Sequence, residues 1–234
     1  MSANKIIAEL KSFATAERKK QNKVYFKTGL GQYAENDQFI GVRVAHTRQI
    51  AKQYFKNIAF EQISQLINHP IHEVRYCGLI ILVKQYQAGQ QDKVFGYYLK
   101  NIHTVNNWDL VDYSTPQVMG DYIFHHQDKL PLLFDLSQSD NLWKKRIAIV
   151  ATFAFIKQGE FSPTLSIGKL LLNDHEDLIH KAVGWMLREV YKKNNNLCKA
   201  FLRENYAQLP RTTLRYAIEH MDEIERKAYL KGIF

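Results

Sequence analysis

The chain has 234 residues, enough for one sizeable core or one extended repeat array. Its 32 Lys and Arg against 23 Asp and Glu leave a formal charge of +9. That balance favours a polyanionic partner, nucleic acid first and an anionic membrane surface second. No apolar run approaches the length of a membrane span, so no membrane partner is expected. The first ten residues carry an early acid, Glu9, and no apolar signal core. The expected location is the cytoplasm.

In chain order, the first segment with a clear character is Gln38-Phe39-Ile40-Gly41-Val42-Arg43-Val44. It reads as a tight extended connection inside an otherwise helical protein. Helical spacing of apolar residues then marks Glu73–Gln85, Asn141–Lys157, His175–Lys193 and Arg211–His220. Polar loops precede these helices: Asn68-His69-Pro70, Ser137-Gln138-Ser139-Asp140, Asn173-Asp174-His175 and Gln208-Leu209-Pro210. The helices look related. Arg75-Tyr76-Cys77, Arg146-Ile147-Ala148 and Arg215-Tyr216-Ala217 share a basic, then an apolar, then a small residue, and Lys181-Ala182-Val183 is a looser copy. Their offsets are 71, 35 and 34 residues, which is two repeats and then one and one. Two helices per unit of about 35 residues predict an all-α, HEAT-like helical-repeat solenoid. It is expected to form one domain over residues 1–234, with a concave side bearing the row Arg75, Arg146, Lys181 and Arg215. Such an Arg also serves, in other repeats, to cap carbonyls or pair with acids of a neighbouring repeat.

Cys77 and Cys198 sit in apolar helical patterns without CxxC spacing and read as small core hydrophobes. Gly29-Leu30-Gly31 lacks the remainder of a phosphate loop, and neither GxSxG nor HExxH occurs. The adjacent His125-His126 point apart on a helix and make a poor chelate. No metal and no cofactor are expected. Trp108 and Asp112 lie four residues apart, which stacks an indole and a carboxylate on one helix face. Such a carboxylate either pairs with a neighbouring Lys or Arg or awaits a cation from outside. Trp185 follows Gly184, whose cost to a helix implies a close approach of another element. Trp185 is then either a core aromatic between repeats or part of a site, and Trp143 is assigned to packing.

At these residues the chain resembles a known family. Trp108-Asp109-Leu110-Val111-Asp112, the helix with Lys145-Arg146, and Lys181 through Glu189 are similar to the core of AlkD-type DNA alkylation repair glycosylases. Tyr25-Phe26-Lys27-Thr28-Gly29 and Phe39–Val44 resemble the same family's entry segment, with Ala45 where the family often has Pro. The resemblance implies a monomer acting on duplex DNA that contains alkylated bases. It implies excision of positively charged alkylpurines, such as 3-methyladenine and 7-methylguanine, without base flipping. In that reading Asp112 is the catalytic carboxylate, Trp108 and Trp185 flank the lesion's deoxyribose, and Arg146 holds a backbone phosphate. Lys27, Arg43, Arg75, Lys181 and Arg188 are further DNA contacts. A cationic base is already a good leaving group, so no general acid is required. No lysine nucleophile stands beside Trp108 or Asp112, so strand-cleaving lyase chemistry is not expected. The rival reading is a non-catalytic solenoid that binds unusual DNA or acts as a protein adaptor, and neither role needs Asp112.

Overall fold

The computed structural model describes residues 2–234. Helices form the regular structure, and among the described residues there is no strand, only an isolated parallel bridge between Gln38 and Ile71. No helix is long and apolar enough to cross a membrane among the described residues. Contacts divide the chain into two compact units, Met1–Ser114 and Thr115–Phe234.

The first unit contains α1 (Ala3–Ser12), α2 (Ala16–Tyr25), α3 (Val44–Tyr54), α4 (Phe60–Ile67), α5 (His72–Gln87), α6 (Gln91–Lys100) and the start of α7 (Trp108–Thr115). At its centre, α5 packs against α3, α4 and α6. Residues 72–83 of α5 are all buried, as expected of a helix enclosed on every side rather than on one stripe.

The segment 38–43 between α2 and α3 is extended and is held by one side chain of α5. The buried Glu73 carboxylate accepts N–H groups from Ile40 (3.1 Å), Gly41 (2.8 Å) and Val42 (3.3 Å), and the Asn22 amide (3.1 Å). Gly41 has φ +89°, and a Cβ there would lie 2.2 Å from the Thr15 carbonyl oxygen. Only glycine allows that approach.

The second unit opens with a π-helical turn, Pro116–Gly120. It comprises α8 (Asp121–His125), α9 (Pro131–Ser137), α10 (Leu142–Ala151), α11 (Phe153–Lys157), α12 (Ser162–Leu170), α13 (Asp177–Lys193), α14 (Asn195–Glu204), α15 (Arg211–Ala217) and α16 (Glu223–Lys231). The pairs α9/α10 and α12/α13 are helical hairpins, while α10 packs on α13 and α13 on α15. The four polar loops of the sequence lie at the junctions of α4 with α5, α9 with α10, α12 with α13 and α14 with α15. Asn141 caps α10 by accepting the N–H groups of Trp143 (2.9 Å) and Lys144 (3.1 Å). The expected helix 141–157 is broken at Thr152, whose buried hydroxyl donates to the Ile149 carbonyl at 2.7 Å, a local bond that competes with the helix ladder. At Gly184 a Cβ would meet the Thr213 carbonyl at 2.6 Å and the Tyr216 Cβ at 2.5 Å. The close approach implied by that glycine is therefore α15 crossing α13.

Both cysteines are buried, and burial pushes each thiol up to about 12, as befits core residues. His125 and His126 are exposed, each ring bonded to the carbonyl four residues back.

Candidate active site

Trp108 and Asp112 lie one turn apart on α7, and both are half-buried. The indole is fixed from several sides. It stacks on Phe26 (centroids 5.3 Å, interplanar angle 22°), meets the exposed Tyr25 edge-on at 5.5 Å, and donates its N–H to the Tyr33 hydroxyl at 3.2 Å. Beside it opens a cavity of about 850 Å³ whose lining includes Tyr25, Phe26, Val44, Arg48, Tyr76 and Trp108. Lys27, in the left-handed region at φ 54°, and Arg43 are exposed.

Beneath Trp108 lies a charge cluster that sequence reading missed. His72, the first residue of α5, is 2% exposed. Its Nε2 faces Asp109 Oδ2 at 2.8 Å and its Nδ1 faces Asp37 Oδ2 at 3.3 Å. Asp37 also accepts from Arg75 Nη2 at 2.5 Å and from Asn107 Nδ2 at 2.8 Å. Burial alone would depress the His72 imidazolium, but the Asp109 and Asp37 carboxylates outweigh it and raise its pKa to about 9. Burial alone would likewise raise Asp37, but His72 and Arg75 outweigh it and lower its pKa to about 2. His72 is therefore an imidazolium at neutral pH, with both ring nitrogens donating.

The same cluster holds Arg75. Its side chain is 7% exposed, bound to Asp37 and to the carbonyls of His69 and Pro70 at 3.2 Å each. This is the pairing-and-capping role that such an Arg also serves.

In the second unit, Arg146 on α10 is as buried as Arg75, 5% against 6% exposed, and donates to the Leu178 carbonyl at 2.5 Å. Its neighbour Lys145 pairs with Asp174. On α13, half-exposed Lys181 pairs with Asp177 at 2.7 Å, and Arg188 pairs with Glu219. Trp185 is half-buried, with its ring 5.8 Å from that of Phe153. Arg215 on α15 is exposed.

The helix starts expose a register that the sequence motif had obscured. The fifth residues of α7, α10, α13 and α15 are Asp112, Arg146, Lys181 and Arg215, spaced 34, 35 and 34 residues apart. Asp112 is thus the acid at the position where the later repeats carry a cation. Arg75 is the fourth residue of α5 and falls out of the row.

The model of a family described as DNA alkylation repair enzymes matches residues 6–221. The chain belongs to the DNA alkylation repair enzyme family. Among solved structures it is similar to a predicted DNA alkylation repair enzyme from Enterococcus faecalis, with a TM-score of 0.72 and 19% identity, over 90% of this chain and 97% of that one. It is also similar to AlkD2 from Streptococcus mutans, with a TM-score of 0.56 and 16% identity, over 88% of this chain and 98% of that one. At these identities the likeness carries the helical-repeat fold. No curated protein matches the chain.

Proposed function

We propose that the protein is a monofunctional DNA glycosylase that removes cationic alkylpurines from duplex DNA, with Asp112 facing the sugar of the lesion. The observation that carries this reading is an acid at the one repeat position otherwise held by Arg146, Lys181 and Arg215, one turn from a rigidly backed indole. An alkylated purine such as 7-methylguanine or 3-methyladenine bears a formal positive charge. When its C1′–N bond breaks, the electron pair goes to the base, which leaves neutral. The charge passes to the deoxyribose as an oxocarbenium-like cation. A carboxylate already in place stabilises that charge without reorganising. The same carboxylate orients water toward C1′, and the proton released as water adds goes to Asp112 or to solvent. An indole presented to the sugar, for which Trp108 and Trp185 are the candidates, stabilises such a cation by ~0.5–2 kcal/mol. Arg146 holds a phosphate without reading sequence, with Lys27, Arg43, Lys181 and Arg188 adding backbone contacts. Selectivity then follows from the charge of the lesion, and the base need not leave the duplex.

The test is single-turnover release of free base from duplex DNA containing 7-methylguanine, with melting temperature measured on the same preparations. Asp112→Asn is expected to lower release at least ~100-fold, about 2.7 kcal/mol of barrier, while affinity for DNA stays level or rises. Trp108→Ala and Trp185→Ala are each expected to cost less. Unchanged release by folded Asp112→Asn protein overturns the catalytic assignment and leaves a DNA-binding solenoid.

A further inference from the structure

We propose that His72 is a positioning residue: clamped between Asp37 and Asp109, it fixes the first turn of α7 and so the plane of the Trp108 indole. The consequence for base release rests on the glycosylase reading above, whereas the clamp itself does not.

Trp108 is flanked in sequence by Asn107 and Asp109, and both neighbours are pinned to the same buried centre. Asn107 donates to Asp37 at 2.8 Å, and Asp109 accepts from His72 at 2.8 Å. The imidazole is also part of the aromatic stack behind the indole. Its ring lies 4.9 Å from Phe26 and 4.7 Å from Phe39, these two stack at 4.9 Å, and Phe26 carries Trp108. One buried side chain therefore holds the indole through the backbone of α7 and through the rings against its face.

The clamp needs the charged ring. Two carboxylates, Asp37 and Asp109, face two cations, His72 and Arg75, so the quartet is neutral. Loss of the imidazolium proton leaves one ring nitrogen with a lone pair against a carboxylate oxygen and one negative charge in excess. Asp109 is the partner with room to leave, because its side chain is 17% exposed against 8% for Asp37. Arg75 comes from α5 and Asp37 from the segment before α3. Tyr76 and Arg48 interact electrostatically near Asp109, and the Tyr33 hydroxyl sits on the indole N–H.

Two readouts test this in the full chain. The first is Trp108 fluorescence between pH 7 and 10.5 in a Trp143→Phe, Trp185→Phe background, where Trp108 is the sole indole, with Tyr33→Phe as a control for phenol ionisation. A single emission transition near pH 9 is expected, following the raised value of His72. It should vanish in His72→Gln and move down by ~1 pH unit or more in Asp109→Asn, where the neighbouring charge is gone. The second readout is single-turnover release of 7-methylguanine with native tryptophans. His72→Gln is expected to lower the rate roughly 10-fold while affinity for undamaged duplex is unchanged. The double variant His72→Gln, Asp109→Asn pairs two neutral amides and is expected to recover to within ~3-fold of the native rate, without an alkaline fall. An emission transition that persists in His72→Gln, or does not move in Asp109→Asn, overturns the clamp. So does a folded His72→Gln protein that excises at the native rate. If the native protein releases no base while the emission transition behaves as described, the clamp stands and the glycosylase reading falls.

Discussion

Helices α7 and α10 each have an asparagine just before the first residue, yet their fifth residues are Asp112 and Arg146. The contrast shows how a repeat scaffold diversifies. The register puts a side chain at an equivalent point of each helix, and on the glycosylase reading proposed above the sign of its charge selects between a phosphate and a developing cation. The surroundings differ as well. Around α5 and α7 the charges are buried and cancel one another in the Asp37–His72–Asp109–Arg75 quartet. Around α13 they pair nearer the surface, as Lys181 with Asp177 and Arg188 with Glu219.

The sharpest way to break the comparison is to restore the cation of the later repeats in α7. Asp112→Lys is expected to lower base release at least ~1,000-fold, about 4 kcal/mol of barrier. It should also tighten binding to undamaged duplex and steepen the salt dependence by about one counterion, read by titration across ionic strengths. Release that survives this substitution removes Asp112 from the chemistry. Next in size is Arg75→Ala, which leaves the buried Asp37 with His72 as its remaining cation and is expected to cost about 3 kcal/mol of stability. Its salt slope for DNA should match the native protein, because that guanidinium faces Asp37 and loop carbonyls. A changed slope with little loss of stability reverses this assignment.

The quartet also gives the first unit a pH signature. Asp37 has its pKa lowered to about 2, so its contribution is complete above the ordinary value of 3.8 and is lost as pH falls through about 2. His72 has its pKa raised to about 9, so its contribution is complete below 6.5 and is lost as pH rises through about 9. Melting temperature is therefore expected to fall on the alkaline side between those two values. His72→Gln should melt lower near pH 6 and show a flatter alkaline limb; parallel curves would contradict this account.

Smaller effects belong to the second unit. Arg146→Ala is expected to weaken binding to all sequences alike and to reduce the salt slope by about 1, measured on several unrelated duplexes. Lys181→Ala, which loses only a half-exposed pair with Asp177, is expected to change folding stability by about 0.5 kcal/mol or less. A larger loss on urea unfolding would show that the pair is structural.

Much of the fold was legible because it rests on local and periodic signals. The four polar loops, the recurrence near 35 residues and the cost of Gly184 each correspond to a helix turn or crossing in the structure. The extended reading of residues 38–44 holds for 38–43, where the structure has an isolated bridge at Gln38 and no strand, while Val44 already begins α3. The quartet was not legible, because its members come from residues 37, 72, 75 and 109 and no spacing rule joins them. A hint existed: His72-Glu73 opens an otherwise enclosed apolar helix, and buried charges are seldom unpaired. Arg75 is the fourth residue of its helix where Arg146, Lys181 and Arg215 are the fifth, because the Arg-apolar-small motif aligns by residue type and not by helix start. The same alignment passed over Asp112, which keeps the 34-residue spacing but was excluded by a search for cations.

The Glu73 carboxylate has a consequence for the timescale on which the N-terminal region opens. Ile40, Gly41 and Val42 belong to no helix, and amides in such segments ordinarily exchange with solvent quickly. Here all three N–H groups end on a side chain anchored in the most enclosed helix of the first unit. Their deuterium uptake should therefore follow the slow opening of α5 rather than the local fluctuation of a loop. In Glu73→Gln, which keeps one acceptor oxygen and loses the charge, the three should become fast together.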